Sequence, residues 1–205
     1  MKCKVYVEAN DAGIIQMFRQ AGYQVVNDIN DAELICFSGG ADVSPMLYQA
    51  TKHPRTFSAP ARDELCSNIF HSFPELPFVG ICRGGQFLNV INGGEMWQHV
   101  DGHAIQGTHL AKDVSDGKKY QVTSTHHQMM IPAPHAEVIM TADISTRREF
   151  EYPSDTDYRK ELPDIEVVYY EDTNSLCFQP HPEYVSADHE CQKFFFLLLE
   201  QYLER

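Results

Sequence analysis

Basic residues are scarce: 16 Lys and Arg stand against 29 Asp and Glu in 205 residues, a formal net charge of −13 at pH 7. Binding to the backbone of DNA or RNA draws on clustered cations, so a general nucleic-acid partner is excluded. Long apolar runs are missing too. Nothing approaches the roughly 20 consecutive apolar residues that span a bilayer, and the opening MKCKVYVEAN has no apolar stretch followed by a small-residue cleavage site. No membrane partner is expected, and the expected location is the cytoplasm. Six cysteines, at 3, 36, 66, 82, 177 and 191, form no C-x-x-C pair and lie far apart, which fits reduced thiols rather than a disulfide framework. There is no repeat, low-complexity tract or Gly/Ser linker. A chain of this size removes roughly 70% of its unfolded surface from water without staples, so one domain over residues 1–205 is expected.

What the sequence does have is an alternation of strand and helix patterns. Cys3 to Glu8 reads as a short strand. Asp11 to Ala21 reads as a helix with Ile14, Ile15, Phe18 and Ala21 on one face and Gly22 closing it. Val25–Val26 is a brief strand, and Leu34 to Phe37 is a continuous apolar run ending in Ser-Gly-Gly, the pattern of a buried parallel strand followed by a tight turn. A helix over Pro60 to Phe73, a buried strand over Pro77 to Ile81 and a helix over Gly84 to Ile91 follow. The second half is richer in β patterns, at Tyr120–Thr123, Ala136–Met140, Glu166–Tyr170 and Leu176–Phe178. A terminal helix from about Ala187 to Leu203 carries the run FFFLLL, apolar nearly all round, and is expected to be pressed between the sheet and another element. The fold class that follows is α/β: a mainly parallel central sheet flanked by helices on both faces, with ligand sites at the carboxyl ends of its strands.

Three motifs fall at such ends. Gly80-Ile81-Cys82-Arg83-Gly84 follows a buried strand and opens a helix, the context of a nucleophile elbow, with glycines two residues either side to let backbone pass close by. A thiolate at a helix N-terminus is favoured by unpaired N–H groups, so Cys82 is placed as a nucleophile. His181-Pro182-Glu183 supplies a base and a carboxylate to orient it; in an extended segment positions i and i+2 face the same way. Ser38-Gly39-Gly40-Ala41-Asp42 can turn backbone amides toward a developing oxyanion, and those of Gly40 and Arg83 are the two expected donors.

Together GICRGGQFLNVINGGEMWQ at 80–98, SGGADVSP at 38–45, STHHQ at 124–128 and QPHPE at 179–183 resemble the class I glutamine amidotransferases, and more closely the branch of γ-glutamyl-γ-aminobutyrate hydrolase and related C26-type peptidases. The resemblance spans most of the chain. It implies the flavodoxin-like three-layer fold of that class, with Cys82 as nucleophile, His181 as base and acid and Glu183 as its orienting group. It also implies that Gln86 and the backbone near Thr125 and His126 hold the glutamyl α-amino and α-carboxyl groups. The implied substrate is glutamine or a small γ-glutamyl amide, hydrolysed by a free-standing enzyme. The alternatives are a glutaminase subunit that passes ammonia to a separate synthetase and, more distantly, a non-catalytic binding domain of the same fold. The oligomeric state is left open.

No cofactor is implied by these steps. Ten histidines, among them His99, His103, His109, His126 and His127, invite a zinc reading, but no H-E-x-x-H or cysteine-pair spacing supports it, and no metal is expected. One segment departs from the family pattern. From Asp143 to Asp164 the chain is long and polar, with four basic and six acidic residues between Arg147 and Asp164. It reads as a solvated insertion or a lid.

Overall fold

The apolar runs become strands because each buries both of its faces. In chain order the strands are β1 (Lys4–Val7), β2 (Gln24–Val26), β3 (Leu34–Phe37), β4 (Phe78–Ile81), β5 (Glu95–Trp97), β6 (His99–Val100), β7 (Ala104–Asp113), β8 (Lys119–Thr125), β9 (Met129–Ile131), β10 (Glu137–Ala142), β11 (Arg148–Glu149), β12 (Ile165–Tyr170) and β13 (Ser175–Phe178). The helices are α1 (Ala12–Gln20), α2 (Pro60–Ser72), α3 (Arg83–Ile91) and α4 (Glu190–Leu198). The computed structural model describes residues 2–144, 148–149 and 163–203. Most of the polar 143–164 segment, and with it the expected lid, lies outside the described residues.

Among the described residues, nine strands form one sheet in the order β2-β1-β3-β4-β13-β12-β10-β7-β8. The first five run parallel, and from β13 onward each neighbour is antiparallel. Side chains alternate between the faces of a strand. Leu34, Cys36, Val79, Ile81, Leu176 and Phe178 therefore join the core that includes Phe18 of α1 and Phe194, Phe195 and Leu198 of α4. Ile35, Phe37, Phe78 and Cys177 join the opposite core with Phe87 and Leu88 of α3. Phe37 lies 5.9 Å from Phe78 and 5.2 Å from Phe87, ring centroid to centroid. Each such ring contributes about 1.5–3 kcal/mol by leaving water.

Local signals set the helix ends. Asp11 caps α1, its Oδ1 accepting from the Ile14 amide at 3.0 Å, and Gly22 at φ +90° ends the turn that follows. The terminal helix starts later than its apolar pattern suggests, because the His189 side chain caps it by accepting from the Cys191 amide at 3.1 Å. It ends in a π-helical turn, Leu199–Leu203. Leu197 is 50% exposed, so this helix covers one face of the sheet and is not enclosed on all sides. Strands β5, β6, β7 and β9 were not legible as strands; β7 has only His109 and Ala111 buried among ten residues. All six cysteines are free thiols.

Candidate active site

The parallel half of the sheet brings four strand ends together: Glu8 after β1, Ser38 after β3, Cys82 after β4 and Gln179 to His181 after β13. Cys82 sits at φ 51° and ψ −111°, a conformation that costs a non-glycine residue about 1–3 kcal/mol. Its amide is tied to the Phe178 carbonyl at 2.8 Å, and its own carbonyl accepts from Gln86 at 3.0 Å. The strand and helix on either side pass with backbones in contact. A Cβ on Gly80 would stand 2.2 Å from the Gly84 carbonyl carbon, and one on Gly84 would stand 2.1 Å from the Phe37 carbonyl oxygen. That close passage is the one the paired glycines predict.

His181 comes to the thiol from β13. Its Nδ1 lies 2.6 Å from Glu183 Oε1, and Cys82 is among the groups that act on its titration. The contact with Glu183 forms in a different way from the one expected. His181 is not followed by an extended segment: it caps a 3-10 turn, Pro182–Tyr184, whose fixed proline φ carries the carboxylate back under the imidazole. The residue is held in three further ways, through its backbone and on its ring. Thr123 Oγ1 accepts from the His181 amide at 2.6 Å and donates to its carbonyl at 3.2 Å. The Tyr184 ring stacks on it at 4.3 Å with planes 1° apart. A Cβ on Gly39 would lie 2.8 Å from its Cε1. Gly39→Ala should therefore displace the imidazole, lowering kcat by roughly 10–100-fold with KM little changed; a fall in thermal stability with unaltered kcat would show that the methyl is accommodated elsewhere.

Burial alone would pull the His181 pKa down. The hydrogen bonds to Cys82 and Glu183, with the charges of both, outweigh burial and push it up to about 10. The folded value lies above the ordinary imidazole value of about 6.5, so the stability contributed by the charged ring is complete below that pH. It declines as pH rises and is gone above about 10. An NMR titration of the His181 ring should find its midpoint far above neutrality in the intact protein and lower after Cys82→Ala. A midpoint near 6.5 in the intact protein would mean that no thiolate faces the ring.

The Ser-Gly-Gly turn is fixed by a pair that sequence reasoning missed. Arg62, on α2, grips Glu8 through Nε at 3.1 Å and Nη2 at 2.6 Å, and donates to the Gly39 carbonyl at 2.8 Å and the Ser38 carbonyl at 3.1 Å. Gly40 lies at φ +142°, and a Cβ there would meet Arg62 Nη1 at 2.2 Å. The next residue of α2, Asp63, pairs with the Arg83 side chain and accepts from the Ser44 amide at 3.0 Å. One turn of helix thus holds the Ser38 and Gly39 carbonyls that lead into Gly40, and the side chain of Arg83. As a neighbouring Arg-Asp pair it looks in sequence like a solvated helix face, and the chain offers no signal that it is buried.

The residues expected near a glutamyl group are placed unevenly. Gln86 is buried and its amide donates to the Gln128 carbonyl at 3.2 Å and to Gln179 Oε1 at 3.1 Å; Gln179 in turn donates to Cys82 Sγ at 3.6 Å. Thr125 is exposed at the end of β8. His126 is buried and stacks on His103 at 4.6 Å; burial first, then the neighbouring histidines, hold its pKa well below the usual value. The rest of STHHQ is used structurally. Ser124 donates to the His103 carbonyl at 2.5 Å, His127 pairs with Asp42 at 3.1 Å, and Gln128 donates to the Gln98 carbonyl at 3.1 Å.

Comparison with known proteins gives a consistent picture. The family profile of Peptidase C26 matches residues 8–132. A Mycobacterium tuberculosis protein named as a glutamine amidotransferase is 28% identical over 62% of this chain and 48% of its own length. A glutamine amidotransferase-like protein, the YvdE homolog of Lactococcus lactis, is 31% identical over 55% of this chain and 65% of its own. The chain thus spans about half to two thirds of the length of the curated relatives it matches. Among solved structures, a Thermoplasma acidophilum protein named as one component of a GMP synthase superposes with a TM-score of 0.65 at 15% identity, over 100% of this chain and 97% of that one. That likeness shows the fold alone, and it is the class I amidotransferase fold.

Proposed function

The chain belongs to the Peptidase C26 family, and from that premise we propose that it is a glutamine amidotransferase-type amidohydrolase that cleaves a γ-glutamyl amide through a Cys82 thioester. The observation that carries the proposal is the joining of a strained cysteine elbow to an imidazole that Glu183 holds at 2.6 Å. The Cys82 thiolate attacks the γ-carbonyl, forming the C–S bond. The oxyanion is taken up by the amides of Gly40 and Arg83, preorganised by Arg62 and Asp63. The C–N bond then breaks as the imidazolium of His181 gives its proton to the leaving amine. Neutral His181 next takes a proton from water, which attacks the thioester and releases glutamate and the thiolate. Gln86 and the Thr125–His126 backbone would hold the α-amino and α-carboxyl end of the substrate.

The stand-alone hydrolase is the preferred version, since the motifs fit the C26 branch over most of the chain. The likeness to a protein named as a synthase component, over 97% of that chain, favours a second version in which ammonia passes to a synthetase. Glutamate release by the isolated protein, from glutamine and from a panel of γ-glutamyl amines, separates them. Turnover of a γ-glutamyl amine at least about tenfold more efficient than that of glutamine supports the hydrolase. Feeble glutamine turnover that rises many-fold with an added synthetase supports the second version. No release from any of these substrates would overturn both.

A further inference from the structure

Beside the proposed active site lies a cluster of three histidines and two carboxylates whose side chains none of its steps uses. His103, His126 and Glu166 each offer a donor atom within 4.8 Å of the others. They come from the segment before β7, the segment after β8 and the body of β12. None is more than 4% exposed. Three polar atoms here are buried without a hydrogen-bond partner: His126 Nε2, Glu166 Oε2 and His109 Nδ1. Burying so many unsatisfied atoms in one place is costly, and a cation accepted by some of them removes that cost.

The hydrogen bonds decide which atoms remain for a ligand. His103 Nε2 lies 2.8 Å from Asp164 Oδ2, and its Nδ1, with only a long 3.4 Å contact to Ser124 Oγ, faces the cluster 3.6 Å from Glu166 Oε1. His109 Nε2 lies 2.9 Å from Glu166 Oε1, which leaves Oε2. A ligating histidine usually gives its other N–H to a carboxylate, and a ligating carboxylate is itself hydrogen-bonded. Asp164 and His109 stand in those places. We infer that this chain binds one divalent metal ion of the zinc class through His103 Nδ1, His126 Nε2 and Glu166 Oε2, with Asp164 and His109 as the outer partners. Two imidazoles and a carboxylate are a recurrent donor set for zinc. Tetrahedral ligands about 2.0–2.1 Å from zinc stand roughly 3.3 Å apart, so donor atoms that lie within 4.8 Å of one another need close by at most about 1.5 Å. The Glu166 carbonyl accepts from the Gln179 amide at 2.8 Å, and Gln179 donates to Cys82 Sγ. The metal would therefore anchor the strand behind the thiol without touching substrate.

The test uses the whole protein, stripped with a chelator and titrated with zinc alone against a chromophoric competitor, then with cobalt for its visible spectrum. One equivalent per chain is expected, with a tetrahedral cobalt spectrum free of thiolate charge-transfer bands. His126→Ala and Glu166→Gln should abolish tight binding. Asp164→Asn, which keeps every ligand, should weaken it by roughly 10–100-fold. His99→Ala, in the separate histidine group that includes His53 and His127, should leave it unchanged. Circular dichroism establishes that each variant is folded; should either ligand variant fail to fold, Asp164→Asn and the wild-type cobalt spectrum decide. Absence of binding by the folded wild type, thiolate bands, or loss of binding on His99→Ala in place of Asp164→Asn would overturn the assignment.

Discussion

Changing Cys82 to alanine is expected to lower turnover of the preferred γ-glutamyl substrate by at least roughly 10⁴-fold, with the fold intact. The side chain is small and 9% exposed, and the strain of its backbone is imposed by Gly80, Gly84 and the bond to Phe178, none of which the substitution removes. His181→Ala should cost about as much, and the double variant little more than either, because nucleophile and base act as a unit. Glu183→Gln should cost less, since Thr123 continues to hold the His181 backbone and Tyr184 and Gly39 still flank its ring. Single-turnover measurement of glutamate release checks the series. Independent, multiplicative losses at Cys82 and His181 would contradict a shared step.

The second large effect concerns stability. Asp63→Ala should destabilise the protein by about 3–5 kcal/mol, because it leaves the Arg83 guanidinium, 1% exposed, without its counter-charge. Domains are stable by only about 5–15 kcal/mol, so the variant should unfold at a far lower urea concentration. It also frees the Ser44 amide and loosens the start of α3, which carries the proposed Arg83 oxyanion donor. The partner experiment is Asp63→Leu with Arg83→Met. Removing both charges from a site lined by Cys66 and Phe87 should recover more than half of the loss. A single-variant loss below about 1 kcal/mol, or no recovery in the pair, would mean that water already reaches Arg83.

Much of the parallel half was legible because its strands are buried on both faces. Leu34–Phe37 was readable to the residue, and the glycines around Cys82 marked a place where two backbones touch. The antiparallel half was less so. In β7, polar and exposed residues dominate, and its pairing comes from β8 with an irregularity before Gly107, a long-range fact without a local trace. The same reason hides the supports of the site. Glu8 and Arg62 are 54 positions apart, and either alone reads as a surface charge. His103, His126 and Glu166 likewise share no spacing, since three separate segments carry them to one point.

Mass spectrometry after treatment with 6-diazo-5-oxo-norleucine, followed by peptide mapping, tests the central claim most directly, because the label requires both a glutamyl pocket and an activated thiol. The account predicts one adduct per chain, on Cys82 of the peptide that contains GICRGG, suppressed by excess glutamine and absent from folded His181→Ala. Labelling spread over the six cysteines, or none at Cys82 while a small alkylating agent still reacts there, would contradict it.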